Sequence, residues 1–441
     1  MKKIVLFFFL FGFVIPVLSQ EGFEFAENKT DKVRVKAQVI NNLVFIPINV
    51  NGERLLFLLD SGVEETILFG FEDPEKIHLQ HVEKIKIRGL GENEGVDGVK
   101  SSGNVLAIGE MKSKEHFLYL ITDLSFDLSS FVGITVNGII GHSAFKNHLV
   151  AIDYRNSEVV FYKPNSKFQK KMEKEYAKIP LLIERRKPYV NALVKMDTED
   201  VVVKLLIDSG NSDAIWLFDK VSNKIKVPQK HFDDYLGHGL GGVVEGKRGR
   251  VTQFSIADFK FDLPIVAFPD SVSIKNISLT NDRLGSLGGE ILRRFSVVFD
   301  YDRQLLFLKK NKSYKASFYY NKSGIELWQS GVQWVRRLIV VEDNSIVIDR
   351  GNLEKNTANL KYKMELKPVY EIGYIRENSN AAKSGLLTGD VLVAVDGKEV
   401  YNYSLQEVNS LLWSENEIWI ELKVVREGKQ MTFKFQLLNI I

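Results

Sequence analysis

The triplet Asp-Ser-Gly occurs twice in this chain, at Asp60-Ser61-Gly62 and Asp208-Ser209-Gly210. Each copy ends an apolar run, Leu55 to Leu59 in one case and Val203 to Ile207 in the other, that reads as a β-strand. The surroundings repeat as well. A glycine-rich turn follows each triplet, Gly89-Leu90-Gly91 at 29 residues from Asp60 and Gly239-Leu240-Gly241 at 31 residues from Asp208. Further on, Gly138-Ile139-Ile140-Gly141 answers Gly285-Ser286-Leu287-Gly288, and Ile152-Asp153-Tyr154 answers Phe299-Asp300-Tyr301. From Asp60 to Asp153 is 93 residues and from Asp208 to Asp300 is 92. Four features in one order and nearly one register constrain the chain to two homologous lobes, about 25–165 and 178–310.

One such triplet is a good turn sequence. Two at equivalent points of a repeat can be brought together across a pseudo-two-fold axis, and that pairing has chemical content. Like-charge repulsion between close carboxylates separates their ionisations, so one is available as a base while its partner stays an acid. Asp60 and Asp208 are therefore the candidate catalytic residues, with water as the nucleophile. Ser61, Gly62, Ser209 and Gly210 are the supporting residues of the two loops: the hydroxyls can hydrogen-bond within the loop base, and the glycines admit close backbone approach.

This constellation resembles the retropepsin and pepsin clan of aspartic peptidases. Asp60-Ser61-Gly62-Val63-Glu64-Glu65-Thr66-Ile67 is similar to the retroviral active-site loop, and Asn137-Gly138-Ile139-Ile140-Gly141 to the motif that packs against it. Asp208-Ser209-Gly210-Asn211-Ser212 is nearer the pepsin form. The resemblance implies two pepsin/retropepsin-like β-barrel lobes in tandem, a peptide or protein substrate, and hairpin flaps. Gly89, Leu90, Gly91, Gly239, Leu240 and Gly241 are the flap and substrate-binding candidates, although neither turn carries the tyrosine of a pepsin flap. Both aspartates lie in one chain, so no dimer is required for catalysis.

Beyond about Tyr320 the repeat stops. Ser379-Asn380-Ala381-Ala382-Lys383-Ser384-Gly385-Leu386 is followed by Gly389-Asp390-Val391 and Asp396-Gly397, then by a helical pattern from Leu405 to Trp413 and strands at 418–426 and 430–437. This order resembles the PDZ domain of bacterial envelope proteases and assigns 320–441 to a PDZ-like domain. The resemblance implies that a peptide C-terminus is added as an extra strand. Ser323-Gly324-Ile325-Glu326-Leu327 is the candidate carboxylate loop. About fifty residues separate it from Ser379, an insertion expected to bury or replace the groove.

The remaining composition narrows the field. With 59 Lys+Arg against 56 Asp+Glu, the formal charge of +3 over 441 residues nominates no nucleic-acid partner. Cysteine is absent, which removes disulfides, thiol nucleophiles and thiolate metal sites. His78 and His81 lack the rest of a zinc motif, and Gly141-His142-Ser143-Ala144-Phe145 lacks the second glycine of a nucleophile elbow, so neither a metal nor a cofactor is expected. Residues 1–19 follow the plan of a signal peptide, from Met1-Lys2-Lys3 through an apolar run to Ser19. That plan implies a periplasmic or extracellular protein without a stable span after cleavage, a membrane tether through the same segment being left open. Strand-like runs dominate, with helices expected at Lys167–Lys178 and Leu405–Trp413, and connectors around Lys170-Lys171 and at 309–322. The expected fold class is thus mainly β. The expected function is an exported aspartic endopeptidase that hydrolyses peptide bonds with water activated by Asp60 and Asp208, the second reading being a catalytically inactive scaffold that recruits partners through its PDZ-like domain.

Overall fold

The computed structural model of the chain describes residues 22–26, 30–71, 74–87, 96–123, 127–197, 199–239, 242–274, 282–341, 359–413 and 417–441. Residues 1–19, where a signal peptide is expected, lie outside them, as do Gly89, Leu90, Gly91, Leu240 and Gly241. Among the described residues no helix is long and apolar enough to cross a membrane.

The molecule is mainly β, and its two Asp-Ser-Gly segments sit in equivalent strand arrangements. In the first half, strand Glu53–Leu59 runs parallel to Gly138–Ile140, with Leu58 opposite Ile139. Gly138–Ile140 is antiparallel to Thr66–Leu68, which in turn runs parallel to Met111–Ile121. In the second half, Glu199–Ile207 runs parallel to Arg283–Leu287, with Leu206 opposite Ser286. Arg283–Leu287 is antiparallel to Ile215–Leu217, which runs parallel to Ile265–Pro269. Around the parallel pairings these strands are buried on both faces, with Phe57, Leu58, Leu59 and Ile140 in the first half and Leu205, Leu206, Ile207 and Leu287 in the second.

The halves are joined by a six-stranded sheet in the order Lys32–Lys36, Glu158–Tyr162, Leu149–Asp153, Phe295–Asp300, Leu305–Lys310, Ala177–Pro180. At its centre Val150 pairs with Phe299 and Ile152 with Val297, which is a two-fold relation between the Ile-Asp-Tyr and Phe-Asp-Tyr segments. One core runs through both halves: Phe57, Leu59 and Ile140 share a buried cluster with Leu205, Ile207 and Leu287. The two triplets therefore grow out of a common apolar floor.

Two local expectations change. The helix expected to reach Lys178 ends at Glu175, capped at its start by the Ser166 hydroxyl, and Ala177–Pro180 is a strand paired with Leu305–Leu308. Burial of Ile179 in the shared core decides this, because tertiary packing outweighs helix propensity at a helix end. Lys170-Lys171 is accordingly helical rather than a loose connector, and 309–322 begins as the end of strand Leu305–Lys310.

The C-terminal part has its own core, built from Ile325, Leu327, Tyr370, Ile372, Leu392, Val408, Leu412, Leu422 and Val424 among others. Helix Leu405–Leu412 starts with a reciprocal cap between Ser404 and Glu407. The sheet order places Ile325–Val341 at the edge, next to Asn359–Ile375. The insertion of about fifty residues mostly lengthens these two strands into a β-ribbon, Ile325 pairing with Ile375 at its base and Val341 with Asn359 at its far end.

Candidate active site

Each Asp-Ser-Gly loop begins where its strand leaves the floor. The Asp60 amide donates to the Ile140 carbonyl at 2.9 Å and the Asp208 amide to the Leu287 carbonyl at 2.9 Å, so each aspartate is hung from the Gly-rich strand of its own half. The two loops are then tied to each other. Ser61 Oγ donates to the Ile207 carbonyl at 2.7 Å and accepts the Ser209 amide at 3.0 Å. Ser209 Oγ donates to the Leu59 carbonyl at 2.8 Å and accepts the Ser61 amide at 2.9 Å. Both hydroxyls are buried, at 1% and 0% exposure, and both carry a donated and an accepted bond.

This exchange brings Asp60 and Asp208 into hydrogen-bond contact. Asp60 also accepts the Gly62 amide at 2.7 Å, and Asp208 the Gly210 amide at 3.2 Å. The glycines are obligatory by contact. A Cβ at Gly62 would lie 2.8 Å from Asp208 Oδ1, and one at Gly210 would overlap the Asp60 carboxylate. Asp60 is buried at 8% exposure and Asp208 is half-buried.

Burial, followed by the charge of Asp208, pushes the Asp60 carboxyl up to about 8. Asp208 is raised too, by burial, but the charges of Arg283 and Lys187 pull it down, and its hydrogen bond with Asp60 favours its ionised form. The charges around the pair thus favour the proton on Asp60 over Asp208. The repeat itself supplies the asymmetry. Arg283 stands two residues before Gly285, whereas the equivalent position before Gly138 is Val136. Arg283 is buried and donates to the Gly285 carbonyl at 3.0 Å and to Ser286 Oγ at 2.7 Å.

Arg283 and Lys187 were not among the residues singled out from the sequence. Arg283 could have been found as a charged residue facing an apolar one in the repeat alignment. Lys187 opens strand Lys187–Met196, the hairpin partner of the strand that leads into the second triplet, and carries no such signal.

Of the flap candidates, Gly239 ends strand His231–Gly239 and pairs with Gly242 of strand Gly242–Arg250, while the other five lie outside the described residues. His142–Phe145 is a short helix in which Ser143 is buried, which excludes an exposed nucleophile elbow there. Among the described residues no group of three or more His, Cys, Asp or Glu side chains is placed to hold a metal. Ser113 Oγ and His116 Nδ1 are 2.8 Å apart, yet their exposures of 0% and 1% close them to substrate.

In the C-terminal part the Ser323-Gly324-Ile325 loop is satisfied from within. Asn321 Oδ1 accepts from the Gly324 amide at 3.2 Å and from Ser323 Oγ at 2.6 Å, and Ser323 Oγ accepts the Ile325 amide at 3.0 Å. A helix of the first half, Leu128–Val132, packs against edge strand Ile325–Val341: the Phe131 ring stands edge-on to Trp328 at 5.1 Å, and a Cβ on the following Gly133 would meet Leu405 Cβ at 2.7 Å.

Comparison with known proteins supports part of this picture. Residues 371–426 match the PDZ domain family. The chain is also similar to the serine protease Do-like HtrA of Lactobacillus helveticus, 31% identical over 93 residues, which cover 21% of this chain and 22% of that one. The chain thus matches about a fifth of the length of this curated relative. The function expected from the sequence, an exported aspartic endopeptidase or else an inactive scaffold, is corrected by this comparison. The relative bearing a protease name is a serine protease, which weighs against the catalytic class read from the motifs. A C-terminal PDZ domain and a limited likeness to a protease are what carry over.

Proposed function

We propose that the chain is a protease and that Asp60 and Asp208 are its catalytic groups. The proposal rests on one observation: two carboxylates from equivalent loops are held in contact by the Ser61–Ser209 exchange. In this reading residues 25–165 and 178–310 are two lobes of pepsin/retropepsin type, each giving one aspartate, and 320–441 is the PDZ part, whose family binds peptides.

The chemistry follows from the asymmetry of the pair. Asp208, whose ionised form the Arg283 charge favours, takes a proton from water as the water oxygen attacks the carbonyl carbon. Asp60 gives its proton to the carbonyl oxygen, forming a neutral gem-diol. As the C–N bond breaks, the nitrogen takes the proton now on Asp208, and one hydroxyl proton of the diol returns to Asp60. One water is consumed and the pair regains its starting state.

The relative's name favours a second reading, a serine-type site. Against it, the Ser61 and Ser209 hydroxyls donate to backbone carbonyls, and Ser113 is enclosed. Cleavage of a peptide library by wild-type protein, Asp60→Asn and Asp208→Asn, each with and without a serine-directed fluorophosphonate, separates the two. The proposal expects loss of cleavage by 10²-fold or more in each variant, the order that general acid–base groups supply, and no effect of the reagent. Retained cleavage in either variant, or covalent inhibition by the fluorophosphonate, overturns it. Export through residues 1–19 is a separate proposal, tested by N-terminal sequencing of the mature protein.

A further inference from the structure

The C-terminal domain is bonded into the second half at the root of one hairpin, His231–Gly239 with Gly242–Arg250. Arg376, 2% exposed, places Nη1 3.6 Å from Asp234 Oδ1. Asp234, itself 7% exposed, accepts Arg248 Nε at 2.7 Å, and Arg248 Nη1 reaches Asp213 Oδ1 at 2.8 Å. Asp213 lies five residues beyond Asp208, and its other oxygen accepts Trp216 Nε1 at 2.7 Å. A line of charges, buried at Arg376 and Asp234 and part-buried at Arg248 and Asp213, therefore runs from the C-terminal domain, through both strands of the hairpin, to the Asp208 loop. Arg376 is fixed at its own end by donation to the Asn321 carbonyl at 2.9 Å and lies 4.3 Å from the centre of the Phe232 ring.

A second contact grips the far end of the same hairpin. His238 stacks on Phe131 at 4.7 Å, and Phe131 stands edge-on to Trp328 at 5.1 Å, so the first half, the hairpin and the C-terminal domain meet in one aromatic group. The Trp328 indole lies against the bare backbone of Gly373, where a Cβ would stand 2.0 Å from its ring. Tyr235 and Tyr374 add a contact at 5.5 Å between these two places.

We infer that Arg376 and Trp328 are positioning residues: they fix strands 231–239 and 242–250 relative to the Asp208 loop, which makes the PDZ domain a structural part of the catalytic cleft rather than a tethered receptor. Hairpins beside a cleft position substrate and exclude water, so loosening one weakens substrate capture. Only this catalytic consequence rests on the function proposed above, since the contacts themselves do not depend on it.

The test uses the full chain as Arg376→Ala, Arg376→Lys and Trp328→Leu, read by hydrogen exchange and by peptide cleavage. Removing one partner from a buried charge line is costly, so exchange in 231–239 and 242–250 is expected to quicken by about tenfold or more in Arg376→Ala and Trp328→Leu. Exchange in the shared core strands, Leu149–Asp153 and Phe295–Asp300, should stay unchanged, and Arg376→Lys should restore most of the protection. KM should rise by about tenfold with kcat and its pH profile little altered, the pattern of lost substrate binding rather than lost chemistry. Should Arg376→Ala fail to fold, Trp328→Leu carries the same readouts. Unchanged hairpin exchange in a folded variant overturns the inference. If wild-type protein cleaves no peptide, the function proposal fails while the exchange result still decides the positioning role.

Discussion

Ser61 and Ser209 each hold the other's loop: the hydroxyl of one accepts the backbone amide of the other and donates to the carbonyl of the residue two places before it. No substrate is needed for this exchange, so the two aspartates are brought together as part of folding. Stability and chemistry are consequently linked at these two residues.

Ser61→Ala and Ser209→Ala should each destabilise the protein by about 2–4 kcal/mol, since each leaves a buried carbonyl and a buried amide without partners. The double variant should fall short of the sum by roughly 1 kcal/mol or more, because both singles damage the same ring of bonds. Urea midpoints at constant m-value measure this, and strict additivity would show that the two hydroxyls act independently.

The raised carboxyl of Asp60 gives stability a direction with pH. Its folded value, about 8, lies above the ordinary carboxylate range, so the folded state binds this proton more tightly than the unfolded chain. That contribution is fully present below the unfolded value and is lost as pH rises through about 8. Asp60→Asn carries no such proton. Its stability relative to wild type should improve steadily from about pH 5 to pH 9, by a few degrees in Tm at the upper end. A difference that does not change with pH would contradict the assignment of the proton to Asp60.

Arg283 sets the ionisation of its neighbour. The Arg283→Met variant removes a charge that pulls Asp208 down, so Asp208 should protonate at higher pH. The acid limb of the kcat/KM profile should move up by roughly one unit, as expected when a close opposite charge is deleted. A purely structural role would lower activity at every pH and leave the limb in place.

Gly210→Ala tests the close approach of the loops. The added methyl would occupy space taken by the Asp60 carboxylate, so cleavage should be lost although one methyl is all that changes. Ala at Gly428, a turn position with open space around it, serves as the contrast: its positive φ of 75° costs stability, about 1 kcal/mol, but activity should persist.

The sequence by itself determined where strands would leave an apolar floor and which residues would sit at the exits. Periodicity and repetition are local records of burial, so Leu55 to Leu59 and Val203 to Ile207 could be read as equivalent strands, and the Ala381 to Gly397 signals as a PDZ domain. The serine exchange was legible only in part: a hydroxyl beside each aspartate suggested bonding within a loop, whereas the bonds cross between loops 148 residues apart.

What only the tertiary structure decided depends on distances between residues remote in the chain. The acid and base roles proposed for Asp60 and Asp208 rest on Arg283, whose charge acts through space on Asp208, while Lys187 acts on both carboxyls. The place of the C-terminal domain depends likewise on Arg376 meeting Asp234 and on Phe131 lying between His238 and Trp328. Sequence pattern reports what each segment buries; electrostatic asymmetry and docking arise only when separate segments share one environment.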